Sequence, residues 1–274
     1  VNKPLTEQGE TFQDSIRIRE TYQQQIPAKI NIRLQIDKNT KATVSGFAFE
    51  YREEIPNLTL VPTTRTDWAG EYYQSLAQAA DSKNTPIMFL GDSITICWMS
   101  SSTEQYPGGK ESWKEFFEPR NAVNFGVSGD TIENVLWRVT EGKQLAGNPK
   151  IIVLLIGTNN LHGRPIVNGS EEIAQGIINL VDVIQKQLPE SRILLMGLFP
   201  REGDFPISAI NAMLAKHDWN SKVMYRDYSE VLLRGQGTIS REIFRDGLHL
   251  SPAGYALLAK PLLEDIKKSV KELF

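Results

Sequence analysis

Short runs of apolar residues alternate with amphipathic stretches over most of this chain. The runs are typical of strands buried on both faces of a parallel sheet, and the stretches between them have helical spacing. The predicted strands are 87–90, 122–125, 151–156, 193–196 and 223–225. The predicted helices are about 110–118, 131–142, 170–188, 206–218 and 252–273. This alternation favours an α/β fold, a flavodoxin-like three-layer α/β/α sandwich with a five-stranded parallel sheet.

The first 80 residues follow a different pattern. Apolar and polar positions alternate over 30–36, which predicts a strand with one wet face, and 44–51 resembles a second strand. A helical stripe then runs from Trp68 to Ala80. The pattern divides the chain into residues 1–82, an N-terminal extension or small β module of unknown role, and residues 83–274, which hold the α/β domain.

Composition and charge narrow the classes of function. The net charge of -3 and the absence of a Lys/Arg run argue against a nucleic-acid partner. The chain has no run of 18 apolar residues, so no transmembrane segment is predicted. Its single cysteine, Cys97, excludes an internal disulfide and a cysteine-based metal site. A start at Val1 is compatible with a removed export signal, so the location stays open between a cytoplasmic and an exported soluble protein.

Polar residues gather where the predicted strands end. Ligands of open α/β sheets bind beyond the carboxyl ends of the strands, so these clusters indicate a site. They are Gly91-Asp92-Ser93, 126–130, 157–160 and, in the loop before the last helix, 246–249. Each cluster by itself is also typical of an ordinary turn, a helix cap or a surface pair. Their joint occurrence at strand ends favours a functional site.

The residue types in these clusters suit nucleophilic catalysis. Ser93 needs a base to remove its hydroxyl proton. Of the three histidines, His162 and His217 have no matching acid nearby in sequence that we would pair with them, and we assign them no role, whereas His249 has Asp246 three residues before it. This spacing predicts Ser93 as the nucleophile, His249 as the base and Asp246 as the acid that orients the ring.

An oxyanion formed at Ser93 requires hydrogen-bond donors. The candidates are the backbone N–H groups of Ser93 and Gly129 and the side-chain amide of Asn159.

These blocks together resemble the SGNH hydrolases, also called GDSL esterases and lipases, over residues 85–274. The resemblance is closest to the catalytic subunits of type Ib platelet-activating factor acetylhydrolase, through 124–131, 135–138, 156–160 and 197–201. It implies the flavodoxin-like sandwich and makes 83–274 the catalytic domain. It also implies the triad and oxyanion hole given above, and no metal or organic cofactor.

The resemblance further implies an acyl pocket crowded by Ile94, Thr158 and Leu248, which favours an acetyl or similarly short group. Related subunits pair, so a homodimer is possible. Two loops, 95–109 and 161–170, are enlarged relative to this branch, and the alcohol part of the substrate stays open.

The sequence therefore predicts a serine ester hydrolase that removes a short acyl group from a sugar or lipid ester through an acyl-enzyme. A lysophospholipase or thioesterase for longer chains is an alternative, and it would need more space past Leu248. A carbohydrate-binding module without catalysis is a further alternative. An FMN-binding protein is disfavoured because 91–95 is acidic and poor in phosphate donors.

Overall fold

The computed structural model describes residues 57–82, 85–162 and 169–271. They belong to a compact unit over Glu54–Phe274. The two strands predicted within 30–51 lie outside the described residues.

The regular elements follow the predicted alternation, with ends that differ by a few residues. The strands are β1 (Ile87–Gly91), β2 (Ala122–Gly126), β3 (Ile151–Leu155), β4 (Arg192–Met196) and β5 (Val223–Arg226). The helices are α1 (Trp68–Ser82), α2 (Ser93–Ile96), α3 (Lys110–Phe116), α4 (Ile132–Thr140), α5 (Ser170–Gln187), α6 (Ile207–Lys216), α7 (Ser229–Leu233) and α8 (Pro252–Ser269). Short 3-10 turns occur at Leu58–Leu60, Cys97–Met99, Glu118–Arg120 and Thr158–Leu161.

All five strands are parallel and lie in the order β2-β1-β3-β4-β5. This confirms the predicted flavodoxin-like sheet. The last residue of β1, Gly91, is level with Gly126 of β2 on one side and Leu155 of β3 on the other. The chain changes direction across the sheet at β1, so a crevice opens beyond its carboxyl end.

Successive residues of each strand enter different cores, because side chains alternate between the two faces of a sheet. Met88 and Leu90 of β1 pack with α1, α4, α5 and α6. Ile87 and Phe89 pack with α2, α3, α7 and α8. The result is a three-layer sandwich with one apolar core on each face of the sheet.

Residues 57–82 contribute to the first of these cores. Tyr73 and Leu76 of α1 are buried there, and the Thr59 hydroxyl donates to the Glu172 carbonyl of α5 at 3.2 Å. The division of the chain at residue 82 stays a prediction.

Candidate active site

Ser93 lies at the carboxyl end of β1, where the chain turns sharply from strand to helix. Gly91 permits this turn, since a Cβ there would stand 2.2 Å from the Leu155 carbonyl oxygen. The Asp92 side chain caps α2 by accepting the Ile94 N–H at 2.9 Å. Ser93 is thus the first residue of a capped helix, and its side chain faces the crevice beyond the sheet.

Gly129 follows β2 within a tight turn over 127–130. The Asp130 N–H donates to the Val127 carbonyl at 3.2 Å, and Gly129 has a φ of 83°. Residues with a side chain rarely adopt this conformation, whereas glycine does so at little cost. Gly129 and Ser93 border the same cavity, and their role as oxyanion donors stays a prediction.

Asn159 stands in the 3-10 turn that follows β3. Its side-chain nitrogen donates to the Asp130 carbonyl at 2.8 Å, which ties this turn to the one that contains Gly129. The next residue, Asn160, accepts the Ile132 N–H at 2.9 Å and so caps α4. Two adjacent asparagines therefore join the ends of β2 and β3.

His249 and Asp246 lie in the loop that leads into α8. An isolated antiparallel bridge between Phe244 and Leu250 closes the loop at its base. The Asp246 Oδ1 atom accepts the backbone N–H groups of Leu248, at 3.0 Å, and His249, at 2.7 Å. The backbone of its own loop therefore orients the Asp246 carboxylate, independently of its contact with the imidazole.

The three predicted triad side chains form one chain of hydrogen-bonded atoms. His249 Nε2 lies 2.9 Å from Ser93 Oγ, and His249 Nδ1 lies 2.7 Å from Asp246 Oδ2. Partial burial acts to raise the pKa of Asp246, but hydrogen bonds from His249 and Leu248 outweigh it and hold the pKa below its usual value. Asp246 is therefore ionised at neutral pH and favours the proton on Nδ1, which leaves Nε2 able to accept from Ser93.

A cavity of about 510 Å³ opens beside Ser93 and His249. It has polar and apolar walls, and residues 95–109 supply several of the side chains that line it. The lining residues are Ser93, Ile96, Cys97, Ser100, Tyr106, Ser128, Gly129, Arg245 and His249.

The three predicted acyl-pocket residues are not among those that line this cavity. Ile94 is 2% exposed and packs in the second core, and Leu248 packs against the same core. Thr158 is buried, and both its carbonyl and its hydroxyl accept from Arg201 Nη1, at 3.0 and 3.1 Å. Their role as an acyl pocket stays a prediction.

Three arginines near the site were not assigned a role from the sequence. Arg138 is fully buried and donates to Asp130 Oδ2 at 2.8 Å. Arg65 reaches the Ser128 carbonyl, and Arg245 lines the cavity. Arg65 and Arg245 contact residues far away in the chain, and Arg138 also reaches the carbonyls of β1 and β2, so residue spacing carries no signal for these roles.

Among the residues that the structure describes, no group of three or more His, Cys, Asp and Glu side chains is placed to hold a metal ion. In the same residues, no helix is long and apolar enough to cross a bilayer.

Comparison with known proteins agrees with the resemblance inferred from the sequence. Residues 89–257 match the model of the GDSL-like lipase/acylhydrolase family. The chain is 35% identical over 211 residues to platelet-activating factor acetylhydrolase IB subunit alpha2 of Rattus norvegicus, covering 75% of this chain and 86% of the relative. It is 31% identical over 205 residues to subunit alpha1 of Bos taurus, covering 71% and 80%. A solved acylhydrolase structure from Bacteroides fragilis shares the fold, with a TM-score of 0.59, 20% identity, and coverage of 75% of this chain and 100% of that one.

Proposed function

The chain belongs to the GDSL-like lipase/acylhydrolase family of ester hydrolases, and from this premise we propose that it removes an acetyl or similarly short acyl group from a sugar or lipid ester. The observation that carries this proposal is the continuous path from Ser93 Oγ through His249 to Asp246. Its two contacts, at 2.9 and 2.7 Å, both have hydrogen-bond length.

In the proposed reaction, Ser93 Oγ attacks the ester carbonyl carbon while His249 Nε2 takes the hydroxyl proton. The tetrahedral intermediate carries its negative charge on the former carbonyl oxygen, which accepts from the N–H groups of Ser93 and Gly129 and from the Asn159 amide. The C–O bond to the alcohol then breaks, and the alcohol leaves with the proton from His249. An acyl group on Ser93 remains.

Water completes the cycle by the same steps. His249 removes a proton from water, the hydroxyl oxygen attacks the acyl carbon, and a second tetrahedral intermediate forms in the same oxyanion hole. Collapse of this intermediate releases the carboxylic acid and returns the proton to Ser93 Oγ. Asp246 stabilises the imidazolium form of His249 in both halves and stays ionised throughout.

The proposal of a short acyl group rests on the names of the relatives and on the predicted crowding by Ile94, Thr158 and Leu248. The relatives at 31–35% identity are subunits of an acetylhydrolase. The cavity of about 510 Å³ beside Ser93 is left for the alcohol part. Its mixed wall, with Tyr106, Ser100 and Arg245, suits a hydroxylated or otherwise polar alcohol.

The test is a series of p-nitrophenyl esters from acetate to palmitate, measured on the wild type and on Ser93→Ala. We expect turnover of acetate and propionate, and a kcat at least about 10⁴-fold lower in Ser93→Ala, because the other donors cannot replace a nucleophile. Ser208→Ala, at an exposed serine of α6 in the opposite layer, is the matched control. Acetate release from an acetylated hexose and from an acetylated glycerolipid then separates the two classes of alcohol.

Each contrary result removes a different part of the proposal. Preference for long acyl chains would favour the alternative function, a lysophospholipase or thioesterase, and would contradict the acyl-pocket prediction. Near-normal turnover by folded Ser93→Ala would contradict the nucleophile. A folded wild type that cleaves none of these esters would contradict the proposed short-acyl hydrolysis.

A further inference from the structure

One guanidinium from the stretch before β1 contacts the turn that contains Gly129. Arg65 Nη1 donates to the Ser128 carbonyl at 2.6 Å and to Asp130 Oδ1 at 3.2 Å. Arg65 Nη2 donates to Asp67 at 2.6 Å, and the guanidinium lies 5.2 Å from the centre of the Trp68 ring. The Arg65 side chain is only 17% exposed, so it is held in one place on several sides.

The carbonyl that Arg65 binds belongs to the peptide that provides the proposed oxyanion donor. The Ser128 C=O and the Gly129 N–H are the two ends of one planar unit and point in opposite directions. Whatever fixes the carbonyl therefore fixes the direction of the N–H. A hydrogen bond to the carbonyl also polarises the peptide, which makes its N–H a stronger donor.

This peptide is the central peptide of the turn, and its orientation distinguishes one turn type from another. Ser128 has a negative φ and Gly129 a φ of 83°, and the Asp130 N–H bonds to the Val127 carbonyl, which defines a type II turn. Type I and type II turns differ by inversion of the central peptide. Inversion here would turn the Gly129 N–H away from the site and deprive Arg65 of the Ser128 carbonyl as an acceptor.

The same turn also holds the third proposed donor. Asn159 is bound to the Asp130 carbonyl at 2.8 Å, and the Asp130 carboxylate accepts from Arg65. The Arg65 guanidinium packs directly on this turn, since a Cβ at Gly129 would stand 3.3 Å from its Nη1 atom. One side chain therefore supports both the Gly129 N–H and the position of the Asn159 amide.

We propose that Arg65 is a positioning residue that locks the Ser128–Gly129 peptide in the orientation required of an oxyanion donor. Arg65 lies N-terminal to residues 89–257, which match the family model, so this role is assigned to a residue outside the matched region. The inference rests on the proposed function. It differs from a merely structural role in one measurable respect, because the effect falls on the transition state and not on the bound substrate.

The experiment compares Arg65→Met and Arg65→Lys in the full chain with the wild type. For p-nitrophenyl acetate we expect kcat to fall about 10- to 100-fold in Arg65→Met with KM within about twofold, less than the loss of a complete oxyanion donor. The inhibition constant of methylboronic acid, which forms a tetrahedral adduct on serine, should weaken by a similar factor. Inhibition by acetate should stay unchanged, and Arg65→Lys, which keeps a positively charged donor nitrogen, should recover much of kcat.

The control is Arg234→Met, the same substitution in an exposed pair with Glu242, and the melting temperature of every variant is recorded. Folded Arg65→Met with kcat within twofold of the wild type would overturn the inference, and inactive Ser93→Ala would still support the proposed function. A rise in KM with kcat unchanged would also overturn it. If Arg65→Met does not fold, Arg65→Lys decides, because equal loss of boronic acid and acetate binding would contradict a transition-state effect. A wild type without esterase activity would remove the proposed function, and this inference with it.

Discussion

The two sides of Ser93 are built in opposite ways. On the side of the proposed oxyanion hole, the turn with Gly129 rests on the ion pair between Asp130 and Arg138, and both side chains are fully buried. On the base side, the Asp246 side chain is 46% exposed and that of His249 is 21% exposed. Oxyanion donors act by being fixed before charge develops, whereas the base must gain and lose a proton in contact with water. Each side has the surroundings that its proposed task requires.

A single guanidinium organises the buried side. Arg138 donates to Asp130 Oδ2 at 2.8 Å, to the Phe125 carbonyl at 2.5 Å and to Gln144 at 2.9 Å. A longer contact of 3.4 Å reaches the Gly91 carbonyl. Three of these acceptors, Gly91, Phe125 and Asp130, stand at or just beyond the ends of β1 and β2, so Arg138 connects the strand before Ser93 to the turn that contains Gly129. The cost of burying the charge is offset only while every acceptor is in place.

Contacts within the loop that holds Asp246 and His249, and from one neighbouring stretch of chain, hold the exposed side instead. The backbone N–H groups of Leu248 and His249 bind Asp246, and the Glu202 N–H donates to the Gly247 carbonyl at 2.7 Å. Arg245 Nε lies 3.7 Å from Asp246 Oδ2, which adds a favourable charge at longer range. These contacts lie within one loop and its neighbour, so a change there should alter catalysis more than stability.

The largest effect is expected for Asp246→Asn. An amide nitrogen in place of Oδ2 would favour the imidazole tautomer with the proton on Nε2, which cannot accept from Ser93. We expect kcat for p-nitrophenyl acetate to fall about 10³- to 10⁴-fold. The free energy of unfolding, measured by urea denaturation, should change little. Asp204→Asn, at an exposed acid before α6, is the control, and a loss of less than tenfold in folded Asp246→Asn would contradict the role of the acid.

The next largest effect is expected on stability, at Arg138. Arg138→Met leaves the Asp130 carboxylate buried with fewer donors, so the free energy of unfolding should fall by about 3–5 kcal/mol. Arg234→Met makes the same change in a pair whose side chains are 52% and 64% exposed, and it should cost less than about 1 kcal/mol. Urea denaturation measures both. Equal losses in the two variants would mean that burial does not distinguish these pairs.

The contrast between local contacts on one side of Ser93 and a buried network on the other also explains which features the sequence alone predicts. The five strands were predicted because a strand covered on both faces is apolar at every position, as in Ile151–Leu155. Ser93, Asp246 and His249 were predicted because each stands in a short local motif, and the structure brings them within hydrogen-bond distance. The positions of these residues at strand ends follow from the parallel sheet.

The supporting contacts were not predicted, for a physical reason. Arg138 interrupts the apolar stripe of α4, and its partners come from β1, β2 and the turn after α4. Arg65 and Ser128 are 63 residues apart. The cavity wall combines parts of several loops, so its omission of Ile94 and Leu248 was not visible from their spacing. Such contacts depend on how the layers pack, which residue periodicity does not specify.

The last comparison concerns two acids, Asp92 next to Ser93 in the chain and Asp246 in contact with His249. Asp92 is fully buried beneath Ser93, its Oδ2 atom has no hydrogen-bond partner, and burial raises its pKa to about 7. Between the ordinary value of 3.8 and about 7, the folded state therefore binds a proton that the unfolded state has released. The stability that this proton contributes is complete below the ordinary value and is lost as the pH rises to about 7. Asp246 has the opposite sign, because its pKa is lowered.

Urea denaturation at pH 5, 6, 7 and 8 separates the two acids. The stability of the wild type relative to Asp92→Asn should fall with rising pH by up to about 1.4 kcal/mol per pH unit and level off above neutrality, because asparagine does not titrate. In a His249→Ala background, which removes the imidazole that Asp246 contacts, the stability relative to Asp246→Asn should stay flat over the same range, since that carboxylate is ionised in both the folded and the unfolded state. Parallel curves for the two substitutions would mean that Asp92 is solvated like Asp246. A slope for Asp92 alone would mean that a buried acid with a raised pKa lies next to Ser93, whereas the acid that contacts His249 is exposed and ionised.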